Sequence, residues 1–197
     1  MSHRPLEKRT PPEVIPSTRI ELRKHRDDPD LARMMFEHVD RDRARLGQFL
    51  PWVPFVRTVE DEVHYIRDCE TKWSECSLFD YGIFLKPLGL YVGNIGVHSI
   101  RWEHRCAELG YWILGQYEGH GIMTEATRAL ERELFLMGFQ RIQICCSAAN
   151  QRSAAVPRRA GYLYEGTHRQ DAIENGVFRD TMVFAKLLPE WLAIKGN

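Results

Sequence analysis

The residues with the most chemical content lie between Ala107 and Ala126, in AELGYWILGQYEGHGIMTEA. An apolar strand pattern ends at Gly115, a turn carries Gly119 and Gly121, and helical spacing begins at Ile122. Glycine has no Cβ, so its main-chain N–H groups can approach a bulky anion closely. The helix start beyond it offers unpaired donors and partial positive charge. Together these would cradle a pyrophosphate. The same two glycines would also serve an ordinary tight turn, and spacing alone does not choose between the two. Two other phosphate loops are absent. No Lys follows the second glycine, as a GxxxxGK loop requires, and Gly119-His120-Gly121 runs on into Ile122, Met123 and Thr124, so GxGxxG fails.

Other chemistries find less support. The five cysteines include no CxxC pair, and the eight histidines form no HExxH. A disulfide framework, a zinc site and any other metal are therefore not expected. Cys145 and Cys146 are neighbours on a short apolar strand, so they point to opposite faces and cannot act together. They read as core residues. The formal net charge is +0, which argues against bulk nucleic-acid binding. The start, MSHRPLEKRTPPEVIP, is basic and proline-rich without an apolar stretch, and no run of about 18 apolar residues follows. A cytoplasmic setting without membrane contact is expected.

The elements that must position the glycine turn can be read around it. Residues 1–16 are expected to be a flexible lead-in and 17–197 a single domain. STRIELRK alternates as a strand. Asp28-Pro29-Asp30 opens a helix to about Val39. The loop QFLPWVPFV is unusually apolar. Thr58 should cap a second helix, with Glu60, Asp61 and Glu62 suiting its N-terminus. SLFDYGIFL, LYVGNIGVHSI and CAELGYWIL read as three strands. Ile122, Ala126, Leu130 and Leu134 mark one face of a helix closed by Gly138. RIQICC is a short buried strand, and a helix interrupted by Pro157 follows. Two last strands meet at Asn175-Gly176, a hairpin signal, and PEWLA adds a turn of helix. Hairpins around one strand-helix-strand unit predict a mixed, mostly antiparallel α/β sheet of about seven strands with about four helices.

With those elements in place, Gln116-Tyr117-Glu118-Gly119-His120-Gly121 resembles the Q/R-x-x-G-x-G/A signature of the GNAT (GCN5-related) N-acetyltransferases. Asn150-Gln151-Arg152-Ser153, followed by Gly161-Tyr162, resembles a second block of that family. LGYWIL, NQRS, YEG and the LPWV at Leu50 look most like its RimJ/RimL-type members, which acetylate N-termini of ribosomal proteins.

The resemblance implies a GNAT fold, splayed between its fourth and fifth strands, and acetyl-CoA as cosubstrate. Gln116 belongs to the signature, and amides of Gly119, His120, Gly121, Ile122 and Met123 would hold the CoA pyrophosphate. Ile113 and Leu114 would pair like a strand with the pantetheine arm, and Asn150 would hydrogen-bond it. Arg152, Arg158 or Arg159 would meet phosphates, or else form a solvated basic face. Many GNAT enzymes carry a Tyr seven residues beyond the Asn; here that position is Pro157. Ser153 becomes the candidate to hydrogen-bond the departing thiolate, although its hydroxyl could instead cap or bond its own helix. Glu165, placed first, and Glu108 are the candidate bases, with Asp180 a weaker third. The loop residues Leu50, Trp52 and Phe55 would line the acceptor site. The acceptor would be a protein N-terminus or a small amine such as a polyamine or antibiotic, and the enzyme a homodimer. A catalytically silent acyl-CoA-binding module is the reading from another class.

Overall fold

The computed structural model describes residues 6–195. Its strands are β1 (Val14–Pro16), β2 (Ile20–Lys24), β3 (Phe79–Leu85), β4 (Leu90–Arg101), β5 (Cys106–Ile113), β6 (Arg141–Ser147), β7 (Leu163–Glu174) and β8 (Val177–Leu187). They form one sheet in the order β1-β2-β3-β4-β5-β6-β8-β7. Every neighbouring pair is antiparallel except β5 and β6. The sheet is one strand larger than expected because Val14–Pro16, inside the expected lead-in, pairs with β2. Residues 1–5 of that lead-in, and 196–197 at the other end, lie outside the described residues.

The helices are α1 (Pro29–Arg41), α2 (Arg43–Leu46), α3 (Val59–Ser74), α4 (Ile122–Met137), α5 (Gln151–Ala160) and α6 (Leu188–Lys195). Local chemistry fixes their ends. Asp28 caps α1 ahead of Pro29, and Thr58 with Asp61 forms a reciprocal capping box on α3. Gly138, at φ +103°, closes α4. The short α2 lies just ahead of the apolar segment, where no helix is expected from the sequence.

One face of the sheet packs Ala126, Leu130 and Leu134 of α4 against Ala107 and Leu109. The other gathers Ala32 and Met35 of α1, Ile66 of α3, Phe84 and Tyr91, with Trp112 at its margin. Strand alternation thus sends Tyr111 and Trp112 to opposite layers. On the α4 side, buried Lys186 of β8 donates to Glu131 of α4 at 2.8 and 2.9 Å and to the Ala160 carbonyl of α5 at 2.6 Å. That triad locks α5 to α4 and the sheet.

On the α1–α3 side, Asp80 Oδ2 accepts from His25 Nε2, Tyr65 Oη and Asn94 Nδ2 at 2.8, 2.8 and 2.9 Å. Buried Glu62 stands beside this cluster. Burial, reinforced by Asp61 and Asp80, pushes its carboxyl up to about 7 from 4.5. The folded state therefore keeps a proton that the unfolded chain has released, so stability falls as pH rises from 4.5 through 7. The full loss is roughly 3 kcal/mol. Urea unfolding at pH 5 and pH 8 should show that decline in the wild type, and Glu62→Gln should remove most of it.

Candidate active site

β5 and β6 pair over only three rows, Cys106 with Arg141, Ala107 with Ile142 and Glu108 with Gln143. Beyond Glu108, β5 continues to Ile113 along β4, and β6 continues to Ser147 along β8. The two strands therefore diverge, and a cleft of about 390 Å³ opens at the gap. The glycine turn and the start of α4 form one end of it, and Asn150, Ser153 and Val156 form a wall.

Leu114 N–H bonds the Val92 carbonyl at 2.9 Å, and Trp112 and Gly110 pair with Asn94 and Gly96 in the same register. By antiparallel alternation, the main-chain groups of Tyr111 and Ile113 face away from β4, into the gap. This corrects the expectation for Leu114. Its N–H belongs to β4, and its carbonyl accepts from Tyr117 N–H at 2.9 Å. Tyr111 stands beside Ile113 in its place. The Ile113 carbonyl accepts from Arg45 Nη2 at 2.7 Å, which leaves its N–H on the cleft side.

Gly119 and Gly121 both adopt left-handed φ, +78° and +75°. Gly121 is the N-cap of α4, and no side chain caps that helix end. Amides of Ile122, Met123 and Thr124 thus begin a helix whose dipole points at the cleft. Gly119, Gly121, Ile122 and Met123 line it; Gln116 and His120 do not. Gln116 is exposed on a 3-10 turn, and the His120 carbonyl accepts from Arg19 at 2.9 Å. Glu118 lies between them and bonds Arg45 on one side and Arg152 on the other. Arg152 is thereby tied across the mouth of the cleft. Arg158 packs over the Phe184 ring instead, whereas Arg159 lines the cleft.

Asn150 Oδ1 accepts from Ser153 N–H at 3.0 Å and so caps α5. Its amide nitrogen is the part left to donate. Ser153 Oγ lies 3.5 Å from Tyr111 Oη, its acceptor. The two candidate carboxylates share one hydrogen-bonded row on the opposite face of the sheet. Gln143 Nε2 donates to Glu108 at 2.8 Å, and Arg141 reaches Gln143 at 3.3 Å. Arg141 also grips Glu165 with two bonds of 2.6 Å. That guanidinium holds the Glu165 carboxyl below its ordinary value. The pairing weighs against Glu165 as the base, since a carboxylate committed to an arginine is a weak proton acceptor. Glu108 takes one bond from a neutral amide. Asp180 accepts from Gln170 N–H at 2.9 Å.

The aromatic loop divides. Leu50 lines the cleft. Trp52 packs on Trp112 with centroids 5.9 Å apart, and Phe55 is 74% exposed and away from the cleft, because a 3-10 turn over Val53–Phe55 buries Val53. Burial, with Glu108 beside it, pushes the Cys145 thiol up to about 12, and burial also raises Cys146. Neither offers a thiolate nucleophile. Among the described residues, no group of three or more His, Cys, Asp or Glu side chains could hold a metal ion, and no helix is long and apolar enough to cross a membrane.

A strand pair opened beside an uncapped glycine-turn helix is the arrangement the resemblance implied, and comparison with known proteins gives it a family. The acetyltransferase (GNAT) domain matches residues 19–163, and the chain belongs to the GNAT acetyltransferases. Its relatives include "Putative ribosomal N-acetyltransferase YdaF" of Bacillus subtilis, 31% identical over 169 residues, covering 83% of this chain and 90% of that one. The ribosomal-protein-serine acetyltransferase of Escherichia coli is 26% identical over 160 residues, 78% of this chain and 86% of its own. Among solved structures, RimL, a ribosomal L7/L12 alpha-N-protein acetyltransferase in complex with coenzyme A, superposes with a TM-score of 0.84 at 28% identity. It covers 90% of this chain and 99% of its own.

Proposed function

We propose that this chain transfers acetyl from acetyl-CoA to the α-amine of a protein or peptide N-terminus, by direct attack within a ternary complex. The observation that carries the reading is the gap between β5 and β6 running into the turn at Gly119 and Gly121. An extended thiol arm fits along the Tyr111 and Ile113 main chain, and a diphosphate fits the amides at the start of α4. The names of the relatives support a ribosomal-protein N-terminus as acceptor. The resemblance to RimJ/RimL-type enzymes extends the proposal to a cytoplasmic homodimer.

The chemistry asks little of the protein. An α-amine has pKa about 7.7–8.0, so roughly a third is already neutral at pH 7.5, against about a thousandth of a lysine side chain. Glu108, oriented by Gln143, takes the amine proton directly or through a water. The main-chain N–H of Ile113 or Tyr111 stabilises charge developing on the carbonyl oxygen. Ser153 Oγ turns its one proton from Tyr111 Oη to hydrogen-bond the departing thiolate. Holding both reactants in one cleft supplies much of the acceleration.

Free-thiol release, assayed with acetyl-CoA and short peptides, tests the reading. Ser- or Ala-initiated peptides should turn over, and the same peptides blocked at the α-amine but retaining a lysine should not. Turnover of the blocked peptides, or of polyamines alone, would move the acceptor to side-chain or small amines. Binding of acetyl-CoA without release across the panel would favour a silent module.

A further inference from the structure

Pro157 lies inside α5. It has no N–H, so the Ser153 carbonyl four residues earlier loses the partner a helix would give it. The structure fills that loss from another element. Tyr111 Oη, reaching across the gap from β5, donates to the Ser153 carbonyl at 3.1 Å. The same phenol oxygen is the acceptor for Ser153 Oγ at 3.5 Å. Asn150 already holds the Ser153 N–H. Main-chain donor, main-chain acceptor and hydroxyl of this one residue are therefore all constrained, two of them by Tyr111. Burial also keeps the phenol protonated, holding its pKa above the ordinary tyrosine value, as a donor to a carbonyl requires.

We propose that Tyr111 is a positioning residue for Ser153: its phenol replaces the helical hydrogen bond that Pro157 removes and holds the single Ser153 O–H on its own oxygen, beside the cleft, until a thiolate draws that proton away. The proposal rests on Ser153 as the hydrogen-bond donor to the thiolate. It couples the strand that carries the thiol arm to the helix that carries the donor. A shift of β5 and a misdirected hydroxyl then become one event. A phenol that merely fills a core site would affect folding but not the balance between binding and turnover.

The test is a set of variants of the full chain: Tyr111→Phe, Pro157→Ala, the double variant, and Ser153→Ala with and without Tyr111→Phe. Each is assayed for kcat, for the KM of acetyl-CoA and for thermal midpoint. Tyr111→Phe keeps the ring and should lower kcat about tenfold or more, with KM nearly unchanged. Pro157→Ala restores an N–H at that position of the helix. In that background Tyr111→Phe should cost clearly less kcat, because the Ser153 carbonyl has its helical partner back. In the Ser153→Ala background, Tyr111→Phe should have little further effect. Equal kcat losses from Tyr111→Phe with and without Pro157→Ala, or a loss confined to KM or to thermal midpoint, overturn the positioning role. An unchanged kcat in Ser153→Ala overturns the donor assignment itself, and the proposal falls with it. A drop in Ser153→Ala without one in Tyr111→Phe overturns only the proposal.

Discussion

Gly121→Asp should leave no measurable acetyl-CoA binding while the protein stays folded. Gly121 sits at φ +75°, a conformation aspartate tolerates better than most residues. A Cβ placed there meets only Arg19 Nη2, at 3.5 Å, an ordinary contact. The fold can therefore accommodate the change, with some backbone strain at that φ. The cradle cannot, because a carboxylate at the N-cap would approach the first-turn amides and repel the diphosphate they are placed to hold. Each unit-charge pair at 4 Å is worth about 1 kcal/mol in water and about 4 kcal/mol near a protein surface. Two phosphate charges put the expected loss at about a hundredfold or more in Kd. Titration calorimetry decides the point, with Gly121→Ala as the uncharged control. A folded Gly121→Asp protein that binds with wild-type affinity would contradict the cradle.

Glu108→Gln should lower kcat roughly tenfold at pH 7, where only about a tenth of an α-amine is neutral without a base. The defect should narrow as pH rises past about 8, where the α-amine of the acceptor loses its proton unaided. Glu165→Gln should cost far less turnover, since Arg141 already occupies both oxygens of that carboxylate. A pH–rate profile for the two variants separates them. If Glu165→Gln carries the large, pH-dependent loss, the roles assigned to the two carboxylates are reversed.

How much of this can be read in the chain follows from where each signal lies. The turn at Gly119 and Gly121 is legible because glycine, strand alternation and helical spacing are local and agree with one another. The helix cap at Thr58 and the hairpin at Asn175-Gly176 are legible for the same reason. Val14–Pro16 escapes a reading of the sequence because a three-residue edge strand amid prolines carries too little pattern. The roles of Arg45 and Arg141 depend on residues far away in sequence. Arg45 meets Ile113 and Glu118, and Arg141 meets Glu165, and no local spacing announces either pairing. The aromatic loop misleads for a related reason. Leu50, Trp52 and Phe55 look alike as a cluster, yet one turn of 3-10 helix sends them to a cleft, an aromatic contact and solvent. Tyr111 is half visible. Pro157 leaves the Ser153 carbonyl in need of a donor, and only the fold shows which side chain supplies one.

The most direct measurement is an amide-resolved NMR titration of the full chain with CoA. Shifts should concentrate on the N–H groups of Gly119, Gly121, Ile122 and Met123, with a second set at Tyr111 and Ile113 along the open edge of β5. Saturating CoA that perturbs neither set, or only residues remote from the divergence of β5 and β6, would contradict the placement of the cosubstrate.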